Sequence, residues 1–482
     1  MRWHFILSIV GILIFFLGLC MVFPLFFGLY YKDQSVVPLL KAMGINFAAG
    51  LSLIVCFRSV KVDYISHREG MAIVAIGWTA IGFFGAFPFY LGSEFGAFID
   101  AFFESVSGFT TTGSSILTDI EAVSKGLLFW RSFIQWLGGM GIIVLSVAIL
   151  PFLGVGGMQL YKAEVPSPVP DKLKPRIRDT AMILWKVYAL ISLAEVLLLM
   201  LGGMDLYNAL CHTFTTMPTG GFSTKNTSIA HFNSVYFDAV FIFFMLLAGI
   251  NFSLHYQFLR ARPLAFWRDS ECRFFLCAVL VLIVIVTINV YGSVYETLGQ
   301  ALRFGAFQVV SIVTTTGYAT ADFELWPAMS QIILFLCMFL GASAGSTGGG
   351  MKCLRVMLYL KYCYKELFSL IHPHAVKRIK IGGKSVSEDV MRSILGFMGL
   401  YIGLFVFSSV LIASMGVDFM TSIASVAATI GNIGPGLGMV GPADNFAHIP
   451  YLGKWVLIWC MLLGRLEIYT VIILLVPEFW RK

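Results

Sequence analysis

Charge is scarce in this 482-residue sequence, where Asp, Glu, Lys and Arg together make up 12% of the chain. So small a charged fraction cannot cover the surface of a soluble globular protein. The nine cysteines show no paired metal spacing, and Cys20, Cys56, Cys277, Cys337 and Cys460 lie inside apolar runs. They read as packing thiols rather than a disulfide framework. No span presents a His/Glu metal pair, a Ser/His dyad or an Asp cluster at catalytic spacing, which leaves a membrane-embedded enzyme without support. A phosphate loop is missing too. Gly350 is followed by Met351, and the Gly-Lys-Ser beginning at Gly383 has Arg378 where the Walker pattern needs glycine.

What the chain has is hydrocarbon: 58% of its residues are hydrophobic and the mean hydropathy is +0.86. Apolar stretches of about 20 residues, the length that crosses a bilayer, recur near 5–30, 37–57, 70–93, 127–152, 180–203, 234–258, 272–295, 328–350, 391–416 and 450–477. The first exceeds the apolar core of a signal peptide and lacks a small-residue cleavage site, so it is read as a span.

Ten crossings that start with Arg2 inside put both termini in the cytoplasm. Alternate loops then collect Arg58, Lys61 and Arg68, next Lys162, Lys172, Lys174, Arg176 and Arg178, next Arg260, Arg262, Arg268 and Arg273. The longest inner segment adds Lys352, Arg355, Lys361, Lys365, Lys377, Arg378, Lys380 and Lys384. The opposite loops hold few basic residues, which is the positive-inside pattern. The formal charge of +7 therefore reports topology. Basic residues divided among separate loops speak against nucleic-acid binding, while the stretch at 377–384 can meet anionic membrane lipid or a cytosolic partner.

Four segments between spans are too short and polar to cross, yet too apolar for ordinary loops. Counted back from the last glycine of 100–113 and of 208–221, Asp100 matches Asn208, Ala101 matches Ala209, Ser105 matches Thr213 and Ser107 matches Thr215. The third copy aligns Gln308 with Glu104, Ser311 with Ser107, and Thr314-Thr315-Thr316-Gly317 with Thr110-Thr111-Thr112-Gly113. The fourth, Ser425 to Gly434, diverges to Gly431-Asn432-Ile433-Gly434. Each copy is flanked by two spans, which makes four units of span, pore half-helix, loop and span. The expected fold is an all-α polytopic membrane protein with these repeats in pseudo-fourfold arrangement, although the sequence leaves a linear arrangement open. Its divisions fall at 1–69 (two extra spans), 70–178, 179–268, 269–385 and 386–482.

A loop at membrane depth must turn its backbone polar groups toward protein or a water-filled cavity. Glycine permits backbone angles that expose carbonyls, and a half-helix aims its negative end at the cavity. Potassium channels replace a cation's hydration shell with the carbonyls of Thr-Val-Gly-Tyr-Gly loops; Thr315-Thr316-Gly317-Tyr318 is the nearest local match. One such tip is a common polar turn, but four aligned copies read as a filter. Its expected residues are Thr111, Thr112 and Gly113; Thr219, Gly220 and Gly221; Thr315, Thr316 and Gly317; and Asn432, Ile433 and Gly434. With Met217-Pro218 in the second loop and Asn432 in the fourth, the filter is expected to be asymmetric.

A second unusual run, Gly341, Ala342, Ser343, Ala344, Gly345, Ser346, Thr347, Gly348, Gly349 and Gly350, falls in the inner half of its span. So many glycines and hydroxyls break a helix, giving either a flexible helix end or a gate beneath the filter. Arg465 and Glu467 interrupt the last span, where ionisable groups are expensive. They form a structural ion pair, mutual or between helices, or Arg465 faces the pore and opposes cations. His212, His372 and His374 read as packing or loop histidines rather than metal ligands.

Together, Trp136-Leu-Gly-Gly-Met-Gly-Ile-Ile-Val, Leu153-Gly-Val-Gly-Gly-Met-Gln-Leu-Tyr, Gly220-Gly-Phe-Ser-Thr, Ala344-Gly-Ser-Thr-Gly-Gly-Gly, Gly434-Pro-Gly-Leu-Gly and Gly464-Arg-Leu-Glu carry a resemblance along almost the whole chain. The sequence resembles the Trk/Ktr/HKT superfamily of potassium transporters, and within it the bacterial TrkH and TrkG membrane subunits. The resemblance implies potassium as substrate, no covalent cofactor, and a homodimer in the bacterial inner membrane with a pore in each protomer. Filter glycines are implied at Gly113, Gly221, Gly317 and Gly434, a gating loop at Gly341–Gly350 and a pore arginine at Arg465. Also implied is a cytosolic TrkA-like ring that binds nucleotide and regulates opening. Gly431-Asn432 departs from relatives that often carry two asparagines. A sodium- or proton-coupled symporter of the same architecture remains the alternative.

Overall fold

The computed structural model describes residues 1–57, 66–92, 94–148, 177–262, 264–375 and 377–480. The run Leu153–Tyr161, the side chain of Arg178 and the basic residues Arg58, Lys61, Lys162, Lys172, Lys174 and Arg176 lie outside the described set. In apolar runs of this kind the backbone finds no water to bond, and an α-helix satisfies its amides within the segment.

Two helices, α1 (Trp3–Tyr31) and α2 (Val36–Cys56), precede the repeats. They cross at glycines: a Cβ on Gly50 would stand 2.7 Å from the Phe15 nitrogen, and one on Gly11 would stand 2.8 Å from the Leu53 Cβ. Small residues of this kind let helix backbones approach closely in lipid.

Repeat one holds α3 (Arg68–Leu91), the pore helix α4 (Phe98–Phe109) and α5 (Lys125–Ala148). Repeat two holds α6 (Ile177–Leu201), the pore helix α7 (Leu206–Thr216), α8 (Val235–Gly249) and α9 (Phe252–Leu259). Repeat three holds α10 (Ser270–Val290), the pore helix α11 (Leu298–Val313), α12 (Ala328–Leu340) and α13 (Cys353–Ile371). Repeat four holds α14 (Glu388–Ser414), the pore helix α15 (Phe419–Ile430), α16 (Tyr451–Arg465) and α17 (Tyr469–Leu475). Three of the four pore helices start where a side chain takes up a free amide: Asp205 accepts from the Asn208 N–H, Thr297 from Gln300 and Asp418 from Thr421, whereas the first follows Ala97, which offers no side-chain cap. Their inner ends are buried, as from Ala101 to Phe109 and from Phe307 to Val313.

The inner spans depart from the sequence reading. The expected continuous crossings at 234–258 and 450–477 are bent, by 103° between α8 and α9 and by 113° between α16 and α17. At the first bend Asn251 starts a new helix, its side chain accepting from the Ser253 N–H at 2.8 Å. At the second, Glu467 and Ile468 take positive φ values of 60° and 23°, and Glu467 is drawn to Arg355 of α13. The third inner span stops at Gly341, φ 70°, after 13 helical residues. The break expected in one span thus recurs in three.

Between α13 and α14, β1 (Lys380–Ile381) pairs antiparallel with β2 (Lys384–Ser385). Gly382 and Gly383 supply the positive φ values of its two-residue turn. Ile379 and Ile381 pack with Leu354, Leu358 and Ile394, which seats part of the basic stretch against α13 and α14.

Candidate functional site

Each pore helix ends in the same turn. Thr111, Thr219, Thr315 and Asn432 have φ of 52°, 58°, 61° and 52°, and the glycine two residues later is again positive, at 84°, 70°, 80° and 105°. The residue between has the ordinary sign, so φ alternates along each tip. A left-handed threonine or asparagine costs on the order of 1–3 kcal/mol and persists only where its surroundings fix it. Here the pore helix does so: the N–H of Thr112 bonds the Ser107 carbonyl, Gly220 bonds Thr215, Thr316 bonds Ser311, and Ile433 bonds Ala428, at 2.8, 2.8, 2.8 and 2.9 Å.

The four tips close on one another. A Cβ built on Gly113 would lie 2.1 Å from the Gly220 carbonyl oxygen, on Gly221 1.9 Å from that of Thr316, on Gly317 1.9 Å from that of Ile433, and on Gly434 2.9 Å from that of Thr112. The first loop meets the second, the second the third, the third the fourth, and the fourth the first. A linear arrangement is excluded by this ring, and only glycine fits the approach.

The loops are not equivalent. Asn432 donates its side-chain amide to the Thr112 hydroxyl at 2.9 Å and to the Met461 carbonyl at 3.0 Å. Gln135 donates to the Gly220 carbonyl at 2.8 Å. The buried Tyr318 hydroxyl donates to the His212 carbonyl at 2.9 Å, tying the third loop to the second pore helix.

Behind the first two loops stands a buried ion pair. Glu104 accepts from Arg131 at 2.6 Å, with side-chain exposures of 0% and 2%, and also from the Ser115 hydroxyl and the Ile116 N–H, each at 2.9 Å. Arg131 reaches on to the Ser223 carbonyl at 2.9 Å and lies over the Phe222 ring. At the matching position in repeat two, His212 bonds Ser223 through Nε2 at 3.1 Å and Asn208 through Nδ1 at 2.8 Å. It is a packing histidine, as the sequence indicates. Arg131, Gln135 and Tyr318, which brace the tips of this ring, are not singled out as supports by the sequence. The signal is there in Arg131 and Gln135, two polar residues four apart on one face of an apolar helix.

The segment Gly341–Gly350 forms an irregular loop directly beneath the tips. Its backbone is caught by the break in the second inner span: Ser343 donates to the Gly249 carbonyl at 3.0 Å, and Phe252 donates to that of Gly345 at 3.1 Å. The Ala344 N–H bonds Glu271, and the Ala342 carbonyl accepts from Cys353. The Ser346 hydroxyl bonds the Ser343 carbonyl and accepts from the Gly348 N–H. Upward, the Thr347 hydroxyl donates to the Met217 carbonyl at 2.8 Å and the Gly349 N–H donates to the Thr315 hydroxyl at 2.7 Å. A Cβ on Gly349 would meet the Gly431 carbonyl oxygen at 2.5 Å. Lys352 folds back to bond the Gly348 carbonyl.

Arg465 is 3% exposed and donates to the Thr347 carbonyl at 2.6 Å. Among the described residues its Nε and other terminal nitrogen have no hydrogen-bond partner. Glu467 pairs with Arg355 instead, so the mutual Arg465–Glu467 pair is not formed.

These features define a polytopic helical membrane protein built from four span, pore-helix, span repeats whose tips meet in a ring. Residues 40–482 match the family model TrkH, described as a cation transport protein, and the chain belongs to that family. It is 42% identical to the Trk system potassium uptake protein TrkH of Escherichia coli strain K12, with all of both chains covered. It is 36% identical to the Trk system potassium uptake protein TrkI of Halomonas elongata, covering 100% of this chain and 98% of that one. The crystal structure of the potassium transporter TrkH from Vibrio parahaemolyticus superposes with a TM-score of 0.92 at 37% identity, with full coverage of both chains. These relatives are named as transporters or uptake proteins, not as enzymes.

Proposed function

We propose that this chain takes up potassium across the bacterial inner membrane, with both termini in the cytoplasm. The ion passes a filter formed by Thr111–Gly113, Thr219–Gly221, Thr315–Gly317 and Asn432–Gly434. The observation that carries this reading is the closed ring of glycines, each against the carbonyl of the next repeat. Carbonyls held at fixed spacing can replace water around a dehydrated cation. The names of the relatives supply potassium as the cargo.

Beneath the filter, Gly341–Gly350 and Arg465 act as the gate. A fixed positive charge under the tips raises the barrier for a cation, and the loop it holds fills the path. Opening requires the loop to leave its bonds to Met217, Thr315 and Gly249. A cytosolic TrkA-like nucleotide-binding ring supplies the free energy for that step, and the membrane subunit works as a homodimer. Any regulatory nucleotide sits on the partner.

Purified protein in liposomes tests this reading by potassium flux under imposed potassium, sodium and proton gradients. Potassium-selective flux down its own gradient is the expected result. Potassium accumulation driven by a sodium or proton gradient identifies a coupled symporter, and flux without selectivity overturns the filter.

A further inference from the structure

Glu195 lies within α6, and α6 packs against α5, α7, α8 and α9. Its side chain is 0% exposed, and neither carboxyl oxygen has a hydrogen-bond partner among the described residues. Among the described residues no cation is paired with it. The titratable groups on the surrounding elements have other partners or stand apart. Arg131 of α5 is held by Glu104, Asp238 of α8 by Arg303, and His255 of α9 by the Leu247 carbonyl. On α7, His212 bonds Asn208 and Ser223, and the Tyr207 hydroxyl bonds the Lys125 carbonyl. Cys211 of α7 and Tyr256 of α9 are thiol and phenol, and neither supplies a positive charge. The hydroxyl that faces the carboxyl is that of Thr216, at the end of the second pore helix, and the phenols of Tyr188 on α6 and Tyr318 behind the third filter loop lie within electrostatic range.

A carboxylate buried from solvent with no paired cation is unstable by several kcal/mol in such a place. A carboxylic acid is not, because it carries no charge. Ionisable side chains inside a membrane protein that lack a structural partner are functional by default. We infer that Glu195 is a proton-binding site behind the second filter loop, and that its occupancy sets the hydroxyl network bracing loops two and three. That network is explicit: the Thr216 hydroxyl donates to the His212 carbonyl at 2.8 Å, the Tyr318 hydroxyl donates to the same carbonyl at 2.9 Å, and the two hydroxyls lie 3.3 Å apart. With the proton bound, both stay on His212. Once it leaves, the carboxylate competes for these donors and frees the pore helix carbonyl, and the loop above loses a brace.

Proton occupancy stands on burial alone, whereas its effect on transport rests on the filter reading above. The two are measured separately. Infrared spectra of the purified full-length protein, parent and Glu195→Gln, are compared for the C=O stretch of an un-ionised carboxylic acid, with no transport involved. The expected result is an acid band in the parent that is absent from the variant, and an identical spectrum for both overturns the site. In liposomes, the parent's apparent KM for potassium should rise about fivefold, the worth of one hydrogen bond, as pH increases through ionisation. Glu195→Gln, which keeps the shape and neutrality of the acid, should hold the low-pH KM throughout. A variant that follows the parent's pH profile overturns the coupling, and a sodium ion held by an ionised Glu195 would show itself by the missing acid band.

Discussion

Arg465 and Thr347, 118 residues apart, are joined by a 2.6 Å hydrogen bond from the guanidinium to the backbone carbonyl. That bond ties the break in the last inner span to the loop that interrupts the third. The rest of the guanidinium is buried without a partner among the described residues, an expensive placement for a permanent charge, which fits a position on the ion path better than one in a packed core.

Arg465→Ala should therefore raise potassium flux through the reconstituted protein in the absence of any activating partner. Arg465→Gln, which keeps a donor for Thr347 but removes the charge, separates the two contributions. Flux at the parent level in a stably folded Ala variant would show that the charge does not oppose the ion.

Shortening the loop by removing 345–349 deletes its bonds to Met217, Ala248 and Thr315. Basal flux should increase several-fold while the protein still elutes as the parent does on size exclusion. Unchanged or reduced uptake from a well-expressed deletion variant would count against the loop as gate.

The filter is tested by serine at each ring glycine. Gly113→Ser, Gly221→Ser and Gly317→Ser place a Cβ within about 2 Å of a neighbouring carbonyl oxygen, whereas Gly434→Ser meets one at 2.9 Å. All four should weaken discrimination of potassium over sodium or raise the potassium requirement, the last most mildly. Gly382→Ser, in the hairpin and 3.8 Å from its nearest neighbour, is the control. Growth and uptake at limiting potassium are the readouts, and normal affinity and selectivity in the four at normal expression would dismiss the ring.

Arg131→Met leaves the Glu104 carboxylate buried and unpaired, at a cost of roughly 3–5 kcal/mol. Adding Glu104→Gln should return much of that stability, because the remaining amide is neutral. Thermal unfolding in detergent measures both. A single Arg131→Met variant as stable as the parent would mean that the buried pair adds no net stability.

The chain's apolar runs marked out where its spans lie, since hydrocarbon admits few alternatives to a helix, but not the bends in two inner spans or the early stop of a third. The four copies aligned on Gly113, Gly221, Gly317 and Gly434 were legible for a local reason: each needs a glycine two residues after a left-handed residue, and that pattern is written in consecutive letters. The run Gly341–Gly350 showed itself as a break because its composition cannot sustain a helix. What the letters could not show was which residues meet. The cyclic order of the loops, the partnership of Glu467 with Arg355 rather than Arg465, and the capture of the loop by the Gly249 carbonyl at a bend in another span all depend on contacts between distant segments. So does the isolation of Glu195, whose sequence neighbours are ordinary membrane residues. Local propensity and hydropathy act along the chain, whereas hydrogen-bond partners and buried charges are assigned only when the helices pack, and that assignment was made by the tertiary structure.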